Sequence, residues 1–410
     1  MTDQPTNQTD RIQVIDALRG FALAGIVLVH MVENYVGGPP PAALSAATDQ
    51  GVLDSIVSGI MGLFIRGKFF ALFSFLFGLS FFIQMDRGAK KGSYFGGRFL
   101  WRLLLLLGIG YVHHLFYRGD ILTIYAMLGI LLIPFYRVNK KWIITIVAII
   151  FLGAFRYLVF FVFQGENLLI DFDMDPNSKQ VTDYYDILKN GSFVEVAQSN
   201  ATEGHLMKLD FQLGIFARGY LTFGFFLLGL LAGKSAFFQK FKNHKKQLKK
   251  GLIWSIVLFV MASIGMIALF AVATNKGQVP PTFDNWTVMA ALSFYDLSNI
   301  FMTFILIIAF LLIYMKLKGE RFLLKFSPYG RMALTNYVGQ TVLGTFILYG
   351  WGLGLIGELR NIYTFSIGLA IIILQLVISK WWLDNFKYGP LEWLWRSLTY
   401  LKVFPLKKDL

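Results

Sequence analysis

Long apolar stretches separated by short polar segments run through almost the whole chain. A membrane-spanning helix needs about 20 predominantly apolar residues, and ten stretches approach or exceed that length. The stretch at 120–136 is the weakest, but only Arg118 and Gly119 separate it from a strong stretch at 99–117, so we expect a tight helical hairpin there. The pattern predicts an all-α polytopic integral membrane bundle of about ten transmembrane helices. The predicted spans are 15–36, 67–85, 99–117, 120–136, 142–163, 210–233, 251–273, 289–315, 332–349 and 362–383.

The predicted spans divide the chain into five regions. Two five-span halves, 15–163 and 210–383, flank a polar segment at 164–209, and polar segments at 1–14 and 384–410 form the two ends. The first of these ends is polar and acidic and lacks the basic region of a signal peptide. We therefore expect the first span to be retained as a helix of the bundle.

The composition supports a membrane protein. Of the 410 residues, 56% are hydrophobic and only 15% are charged, whereas a soluble domain carries about 25% charged residues. This excludes a disordered chain and a coiled coil, and it disfavours a soluble enzyme. The chain has no cysteine, which excludes a disulfide scaffold and a thiol nucleophile. The net charge is +14, and the basic residues lie between apolar stretches, which indicates membrane topology rather than nucleic-acid binding.

Lysine and arginine are distributed unevenly between the two sides of the predicted bundle. If the N-terminus is cytoplasmic, the cytoplasmic segments hold 24 of these residues and the opposite segments hold 7. Cytoplasmic loops of membrane proteins carry this excess, so both termini are predicted to be cytoplasmic. The lysine-rich run at 240–250 follows the same rule, with binding to anionic lipid headgroups as a further interpretation.

The segment 164–209 is acidic, with eight Asp and Glu against three Lys. Asp171, Asp173 and Asp175 alternate, which is compatible with calcium binding. The segment lacks the glycine and the closing glutamate of an EF-hand loop, however. We interpret it as a solvated extracytoplasmic loop, and we expect no metal cofactor.

Ionisable residues lie inside the first predicted span, where they are costly and usually face a cavity or a partner. Arg19 and His30 are eleven residues apart, so they share one helix face and are separated by about 16 Å along the axis. Asp16 lies one turn before Arg19 and is expected to pair with it. The first span therefore places a cation near the cytoplasmic surface and an imidazole toward the outer half.

The third span repeats this arrangement. Arg98 and Arg102 share one face, and His113 follows Arg102 by eleven residues. If the first and third spans are neighbours, Arg19, Arg98 and Arg102 form a basic cup, and the two histidines meet deeper in the bundle. His114 follows directly, and Asp120 lies just beyond the hairpin. Arg156, Arg218 and Asp296 also fall within predicted spans, where they need partners or a wet cavity.

Acyl transfer across the membrane is the chemistry that fits this pattern. Guanidinium groups would hold the phosphates of a cytoplasmic acyl-CoA. His30 would act as a base or carry the acyl group, with His113 assisting and Asp120 or Glu33 orienting an imidazole. The alternatives are arginines that reach lipid phosphates, a histidine that only bonds a neighbour, and a metal site formed by His30, His113, His114 and Asp120.

Motifs along the chain resemble those of a bacterial multi-span family, the domain of unknown function 418. The motifs are RIQVIDALRGFALAGI at 11–26, KFFALFSFLFG at 68–78, GDIL at 119–122, GRMALTNY at 330–337 and GPLEWLWRSLTY at 389–400.

The resemblance implies an acyltransferase-like core and a bacterial cytoplasmic (inner) membrane location. The family is distantly similar to transmembrane acyltransferases of the acyltransferase-3 and heparan-glucosaminide N-acetyltransferase types. Arg19 and His30 match the acyltransferase-3 pattern of a basic residue, ten others and a histidine. That type also carries an Arg-x-x-Arg pair in its third span. Here the pair is Arg98 and Arg102, one residue wider.

We therefore predict a membrane acyltransferase that moves an acyl group, acetyl being the expected one, from cytoplasmic acyl-CoA to an extracytoplasmic hydroxyl or amine. The acceptor would be a small molecule, a glycan or a lipid, and no nucleic-acid partner is expected. The alternative is a transporter or lipid-handling protein without chemical turnover. The predicted catalytic residues are His30, His113, Asp120 and Glu33, and the predicted acyl-CoA-binding residues are Arg19, Arg98, Arg102 and Arg331.

Overall fold

The structure is a computed structural model that describes residues 12–90, 92, 95–274 and 283–408. The first eleven residues of the predicted tail 1–14, and the last two of the predicted segment 384–410, lie outside the described residues. The described part of the chain is all-helical, as predicted. Its helices are α1 (Gln13–Val32), α2 (Ala42–Thr48), α3 (Val52–Ile60), α4 (Lys68–Lys90), α5 (Gly96–Phe116), α6 (Leu122–Leu132), α7 (Lys140–Phe151), α8 (Ala154–Phe163), α9 (Lys179–Asn190), α10 (Phe193–Ala201), α11 (Glu203–Leu213), α12 (Arg218–Lys234), α13 (Phe237–Lys240), α14 (Lys245–Thr274), α15 (Trp286–Tyr314), α16 (Leu317–Leu323), α17 (Ser327–Arg331), α18 (Ala333–Leu348), α19 (Asn361–Asn385) and α20 (Pro390–Tyr400).

By length and composition, some helices can cross a membrane alone, some can do so only as a bent pair, and the others are too short. Among the described residues, six helices are long and apolar enough to cross a membrane, and the number is eight if each of two bent pairs is one span. The predicted spans 120–136 and 332–349 contain α6, with 11 residues, and α18, with 16 residues. The predicted count of ten spans is therefore not confirmed, while the polytopic, helical membrane character is.

The two bent pairs have a common cause. The pair α7 and α8 bends by 50° and the pair α11 and α12 by 60°. Gly153 separates the first pair with φ of +82°, and Ala217 precedes α12 with φ of +56°. A residue in the left-handed conformation interrupts the i to i−4 hydrogen-bond ladder, so each continuous apolar stretch becomes two helices.

The helix α1 lies at the centre of the bundle, and most of its residues are buried. It packs closely on α17, where a Cβ on Gly20 would lie 2.2 Å from the carbonyl oxygen of Phe326 and a Cβ on Gly330 would lie 2.0 Å from that of Asp16. Only glycine permits this approach. We call the end of the bundle where α1 begins, together with α17 and α20, the near end. The end where α1 finishes is the far end.

The acidic segment 164–209 contains helices. Ser178 caps α9 by accepting a hydrogen bond from the backbone N–H of Val181. Ser192 and Glu195 form a reciprocal capping box at the start of α10, a signature that orders a helix start locally. The helix α10 then packs on α5. The segment is thus an ordered helical unit that covers the far end of the bundle.

The helix α14 forms the most exposed part of the bundle. Trp254 and Ile264 are 64% and 62% exposed, and the helix is long enough to cross a membrane. A helix with apolar residues all around it suits a hydrocarbon environment. This face of the bundle is the one that lipid would cover.

Candidate functional site

A basic pocket of about 140 Å³ lies at the near end. It is formed by α5, α17, the end of α19 and α20, which bring together four cationic side chains and one carboxylate. These charged residues are Arg102, Arg331, Lys387, Arg396 and Glu392. An excess of cations in one pocket favours an anionic ligand.

A larger cavity of about 290 Å³ adjoins this pocket and extends into the bundle. The two share Arg102, Arg331 and Glu392. Arg19 also lines the larger cavity, whereas most of its remaining wall is apolar and aromatic. Those wall residues include Phe73, Phe77, Phe81, Phe99, Leu103, Leu106, Leu122, Tyr125, Tyr337 and Trp395. A charged entrance followed by an apolar interior suits a ligand with an anionic head and a long uncharged arm.

The arginines at the entrance are held by specific contacts. Arg19 donates hydrogen bonds to Asp16 and to Ser80, both at 2.9 Å, which confirms the predicted pairing of Arg19 with Asp16. Arg102 stacks on Trp395, with its Cζ atom 3.7 Å from the ring centroid, and the indole N–H donates to the Arg102 carbonyl oxygen at 2.9 Å. These contacts fix the guanidinium planes before any ligand binds.

Two guanidinium N–H groups at this entrance are unpaired. The Nε atoms of Arg102 and Arg396 are buried and have no hydrogen-bond partner in the described structure. An unsatisfied buried donor is costly, so an arriving oxyanion would gain two ready charge-assisted bonds.

Glu392 braces the entrance. Its carboxylate accepts hydrogen bonds from the backbone N–H groups of Leu334 and Thr335 and from the Thr335 hydroxyl, at 2.7, 3.1 and 2.6 Å. These bonds hold the first turn of α18 against α20. Burial raises the pKa of the Glu392 carboxyl above its ordinary value, although these hydrogen bonds act in the opposite direction.

Arg98 does not join the arginines that line these two cavities. Its Cζ atom lies 5.0 Å from the ring centroid of Tyr400 and 5.9 Å from that of Phe95. The amphipathic helix α20 packs across the start of α5, and its Tyr400 ring contacts the Arg98 guanidinium. Of the three arginines of the predicted basic cup, Arg19 and Arg102 line the larger cavity, together with Arg331, while Arg98 stacks outside it.

At the far end of α5, His113 and Asp120 form a buried pair. His113 Nδ1 lies 2.8 Å from Asp120 Oδ1. The same carboxylate accepts hydrogen bonds from the backbone N–H groups of Leu122 and Thr123 and from the Thr123 hydroxyl, each at 3.0 Å. Because Asp120 meets only donors, Nδ1 of His113 carries the proton. The other ring nitrogen of His113, Nε2, is buried and has no hydrogen-bond partner among the described residues.

His30 and His113 both lie near the ring of Tyr337. The Tyr337 ring centroid lies 5.0 Å from that of His113 and 6.3 Å from that of His30. His30 also contacts Tyr35 and Tyr117, and its Nδ1 atom is buried without a hydrogen-bond partner among the described residues. Tyr337 lines the larger cavity, whereas neither histidine does, so the two imidazoles are connected to that cavity through the Tyr337 ring.

Glu33 has a different partner from the one considered in the sequence. Its carboxylate accepts a hydrogen bond from Arg66 Nε at 2.6 Å. Asp120 is thus the carboxylate that orients an imidazole, and Glu33 belongs to a separate charged group at the far end.

His114 has a structural role. Its Nε2 donates to the carbonyl oxygen of Asn200 at 2.7 Å, and its Nδ1 accepts from Lys208 Nζ at 3.0 Å. Lys208 also donates to the Thr123 hydroxyl at 2.8 Å and so links the helical unit to Asp120. Both ring nitrogens of His114 are occupied, and no group of three or more His, Asp or Glu among the described residues could hold a metal ion.

Several site residues were not identified from the sequence. Lys208 belongs to the acidic segment and lies 94 residues from His114, so no periodicity connects them. Tyr337 and Trp395 are aromatic residues in an aromatic-rich chain. Lys387 resembles other cytoplasmic basic residues of the predicted topology. Only the fold brings Tyr337, Trp395 and Lys387 to the two cavities.

Two family models match the chain, one in each half. The model of the catalytic region of heparan-alpha-glucosaminide N-acetyltransferase matches residues 11–188, which include both imidazoles and Asp120. The model described as a protein of unknown function, DUF418, matches residues 232–402, which include Arg331, Glu392 and Arg396. The two matches thus cover the two walls of the cavity.

Relatives from bacteria match over nearly the full chain. The uncharacterized protein YxaH of Bacillus subtilis (strain 168) is 30% identical over 99% of this chain and 98% of its own length. An uncharacterized 39.9 kDa protein from the amylase 3' region of Bacillus acidopullulyticus is 27% identical, over 99% of each chain. The uncharacterized protein YeiB of Escherichia coli (strain K12) is 26% identical over 95% of this chain and 96% of its own.

Proposed function

The chain belongs to the DUF418 family and has an acyltransferase-like N-terminal half, and on that premise we propose that it transfers an acyl group from acyl-CoA to a hydroxyl or amine acceptor. The observation that carries this proposal is the His113–Asp120 pair. Its Nε2 atom has no hydrogen-bond partner among the described residues, and its ring packs on Tyr337, which lines a cavity with a basic entrance. The similarity to the acetyltransferase catalytic region favours acetyl as the acyl group.

The basic entrance supports an acyl-CoA donor. Arg102, Arg331, Lys387 and Arg396 would bind the phosphates, because guanidinium groups form paired, charge-assisted bonds with phosphate oxygens. The apolar wall beyond them would accept the pantetheine arm. Arg19 and His30 are about 16 Å apart along the axis of α1, a distance that an extended arm can bridge to bring its thioester to the imidazoles.

His113 would act as the general base. Its Nε2 takes the proton of the acceptor hydroxyl or amine as that oxygen or nitrogen bonds to the thioester carbon. The carbon–sulfur bond then breaks, and the departing thiolate receives the proton from His113. Asp120 holds the imidazole in the required tautomer and stabilises its charged form. We assign His30, which also lies near Tyr337, to positioning the acceptor or the thioester.

The excess of lysine and arginine on the side of the near end supports a cytoplasmic position for that end, where acyl-CoA is available. The acceptor would then approach from the far end, and the protein would lie in the bacterial inner membrane with both termini inside. The transporter alternative receives no support from the comparisons.

A paired measurement of binding and turnover tests this function. Acetyl-CoA binding is measured by calorimetry on purified protein, and release of free CoA is measured in membranes that contain the native acceptor. His113→Ala is expected to bind acetyl-CoA like the wild type and to lose turnover by about 10²–10⁴-fold. His244→Ala, which changes a histidine in the predicted cytoplasmic basic segment, is the matched control and should retain both. Full turnover by His113→Ala would refute the assignment of the base, and absence of binding by folded wild-type protein would refute the acyl-CoA donor.

A further inference from the structure

A second group of charged side chains lies at the far end, beyond the two histidines. Arg66 precedes α4, Lys68 begins α4 and Arg218 begins α12, and Glu33 follows the last residue of α1. We call Arg66, Lys68 and Arg218 the far-end cationic cluster. The proposed transfer chemistry uses none of these side chains.

The cluster extends from solvent to the interior. Arg66 is paired with Glu33 at 2.6 Å, and the two side chains are 51% and 33% exposed. Lys68 is buried and donates to the Gly62 carbonyl oxygen at 2.6 Å. The Arg218 side chain is 15% exposed, and its Cζ atom lies 5.4 Å from the ring centroid of Tyr295. The cluster therefore has an open rim and a desolvated interior.

The neighbouring carboxylates leave the cluster with excess positive charge. Asp296 contacts Arg218 at 3.6 Å, but its other oxygen is bonded to the buried guanidinium of Arg156. Arg156 and Asp296 balance each other. Glu33, which pairs with Arg66 and also lies within reach of the charge of Arg218, is then one carboxylate for a cluster of three cations. Cations at membrane depth without matching anions are costly, so this arrangement favours a bound anion.

Two buried polar atoms of this region have no hydrogen-bond partner among the described residues, namely Asn299 Oδ1 and Arg218 Nη1, of which the latter is the atom that lies 3.6 Å from Asp296. Asn299 is only 3% exposed, and its Oδ1 lies against the turn between Arg66 and Lys68, 2.8 Å from where a Cβ on Gly67 would be. The Arg218 atom can donate to an anion and the Asn299 atom can accept from a hydroxyl. A ligand that carries both groups would satisfy the two atoms.

The cluster lies next to the proposed reaction centre. Glu33 is one helical turn beyond His30 on α1, and its charge acts on Tyr117, whose ring lies 5.0 Å from that of His30. A ligand whose anionic group bound the cluster could direct a hydroxyl toward the two imidazoles from the side opposite the basic entrance.

We propose that the far-end cationic cluster binds the acceptor, and that this acceptor is a phosphate ester with a free hydroxyl. This inference rests on the proposed transfer function. The hydroxyl oxygen bonds to the thioester carbon, its proton passes to His113 Nε2 and then to the departing thiolate, and the phosphate remains on the cluster. The phosphate ester can come from a lipid headgroup or from a soluble polyol phosphate, and the two sources are distinguished below.

The test compares two probes that share this chemistry. Glycerol 1-phosphate is titrated into detergent-purified protein by calorimetry, and native mass spectrometry measures retention of phosphatidylglycerol against phosphatidylcholine. The variants are Arg66→Gln, on the exposed rim, and Arg218→Gln, in the interior. Lys189→Gln is the matched control, because it removes a cation that is paired with Glu358 on the far-end surface, outside the cluster. Acetyl-CoA binding at the near end is measured on every variant as the folding check.

We expect the wild type and Lys189→Gln to bind at least one phosphate probe, and each cluster variant to lose about tenfold or more in affinity while acetyl-CoA binding is retained. Binding of the lipid alone identifies a headgroup, and binding of glycerol 1-phosphate alone identifies a soluble ester. If Arg218→Gln also loses acetyl-CoA binding, Arg66→Gln decides the result. Unchanged phosphate binding by folded cluster variants, or binding of neither probe by wild type that binds acetyl-CoA, overturns the inference. Phosphate binding that depends on the cluster without acetyl-CoA binding would keep the site and refute the transfer function.

Discussion

An Asp120→Asn substitution changes one atom of the carboxylate that orients His113. The carboxylate accepts four hydrogen bonds, from His113 Nδ1, from the backbone N–H groups of Leu122 and Thr123, and from the Thr123 hydroxyl. An asparagine keeps one acceptor oxygen and presents an N–H₂ group to the remaining donors. If that group faces His113, the imidazole must adopt the other tautomer, and Nε2 becomes a donor that cannot take a proton.

The size of both effects follows from these contacts. Loss of a correctly oriented base lowers turnover by about 10²–10⁴-fold. The backbone N–H of Leu122 or Thr123 that faces the amide group loses its acceptor, which costs about 1–3 kcal/mol, so the free energy of unfolding should fall by about that amount. Acetyl-CoA binding should change little, because the phosphate-binding residues lie at the opposite end of the cavity.

Asp54→Asn is the matched control for this prediction. Asp54 is also a buried carboxylate, and it accepts from Arg360 at 2.7 Å and from the backbone N–H of Ile362 at 3.0 Å. It lies away from the histidines, so its substitution should lower stability to a similar degree and leave turnover per folded molecule intact. The assay is release of free CoA in native membranes, normalised to folded protein. Turnover of Asp120→Asn within about twofold of the wild type would refute the proposed role of the carboxylate.

Three further substitutions test the entrance, the helical unit and the packing. The Arg331→Ala and Arg396→Ala double variant should bind acetyl-CoA at least tenfold more weakly, as measured by calorimetry. Lys402→Ala, which removes an exposed cation of the same C-terminal segment, should bind acetyl-CoA normally. Equal losses of affinity in the two variants would argue against a specific phosphate site. Lys208→Met removes the buried donor to His114 and should lower the free energy of unfolding by about 1–3 kcal/mol, while acetyl-CoA binding stays unchanged. A thermal transition at the wild-type temperature would contradict this structural role of Lys208. Gly229→Val places a side chain where a Cβ would already lie 2.0 Å from a backbone carbonyl oxygen of α4. It should therefore destabilise the protein by about 1–3 kcal/mol or more, which thermal unfolding measures. Wild-type stability of this variant would show that α12 and α4 can move apart without cost.

Much of the helical architecture follows from local sequence. The apolar stretches correspond to the helices because hydrophobic length and periodicity are local properties. The eleven-residue spacing agrees with the structure, in which Arg19 and Arg102 line one cavity and His30 and His113 both lie near Tyr337.

Tertiary contacts decide what the sequence could not show. The left-handed residue Ala217 ends a continuous apolar stretch, although alanine favours helix on its own. Arg98 contacts Tyr400 of α20 and therefore does not line the cavity with the other arginines. Arg66, 33 residues from Glu33, pairs with that carboxylate, and Lys208 reaches His114 from the helical unit. No pattern along the chain encodes pairings between segments so distant in sequence.

The position of a bound donor tests the central claim most directly. An electron cryomicroscopy structure of the protein with a non-hydrolysable acetyl-CoA analogue would locate both ends of that molecule. The account predicts the phosphates within hydrogen-bond distance of Arg102, Arg331 and Arg396, and the thioester position beside His113 Nε2. An analogue bound elsewhere, or with its acyl end away from His113 while the phosphates occupy the basic entrance, would contradict it.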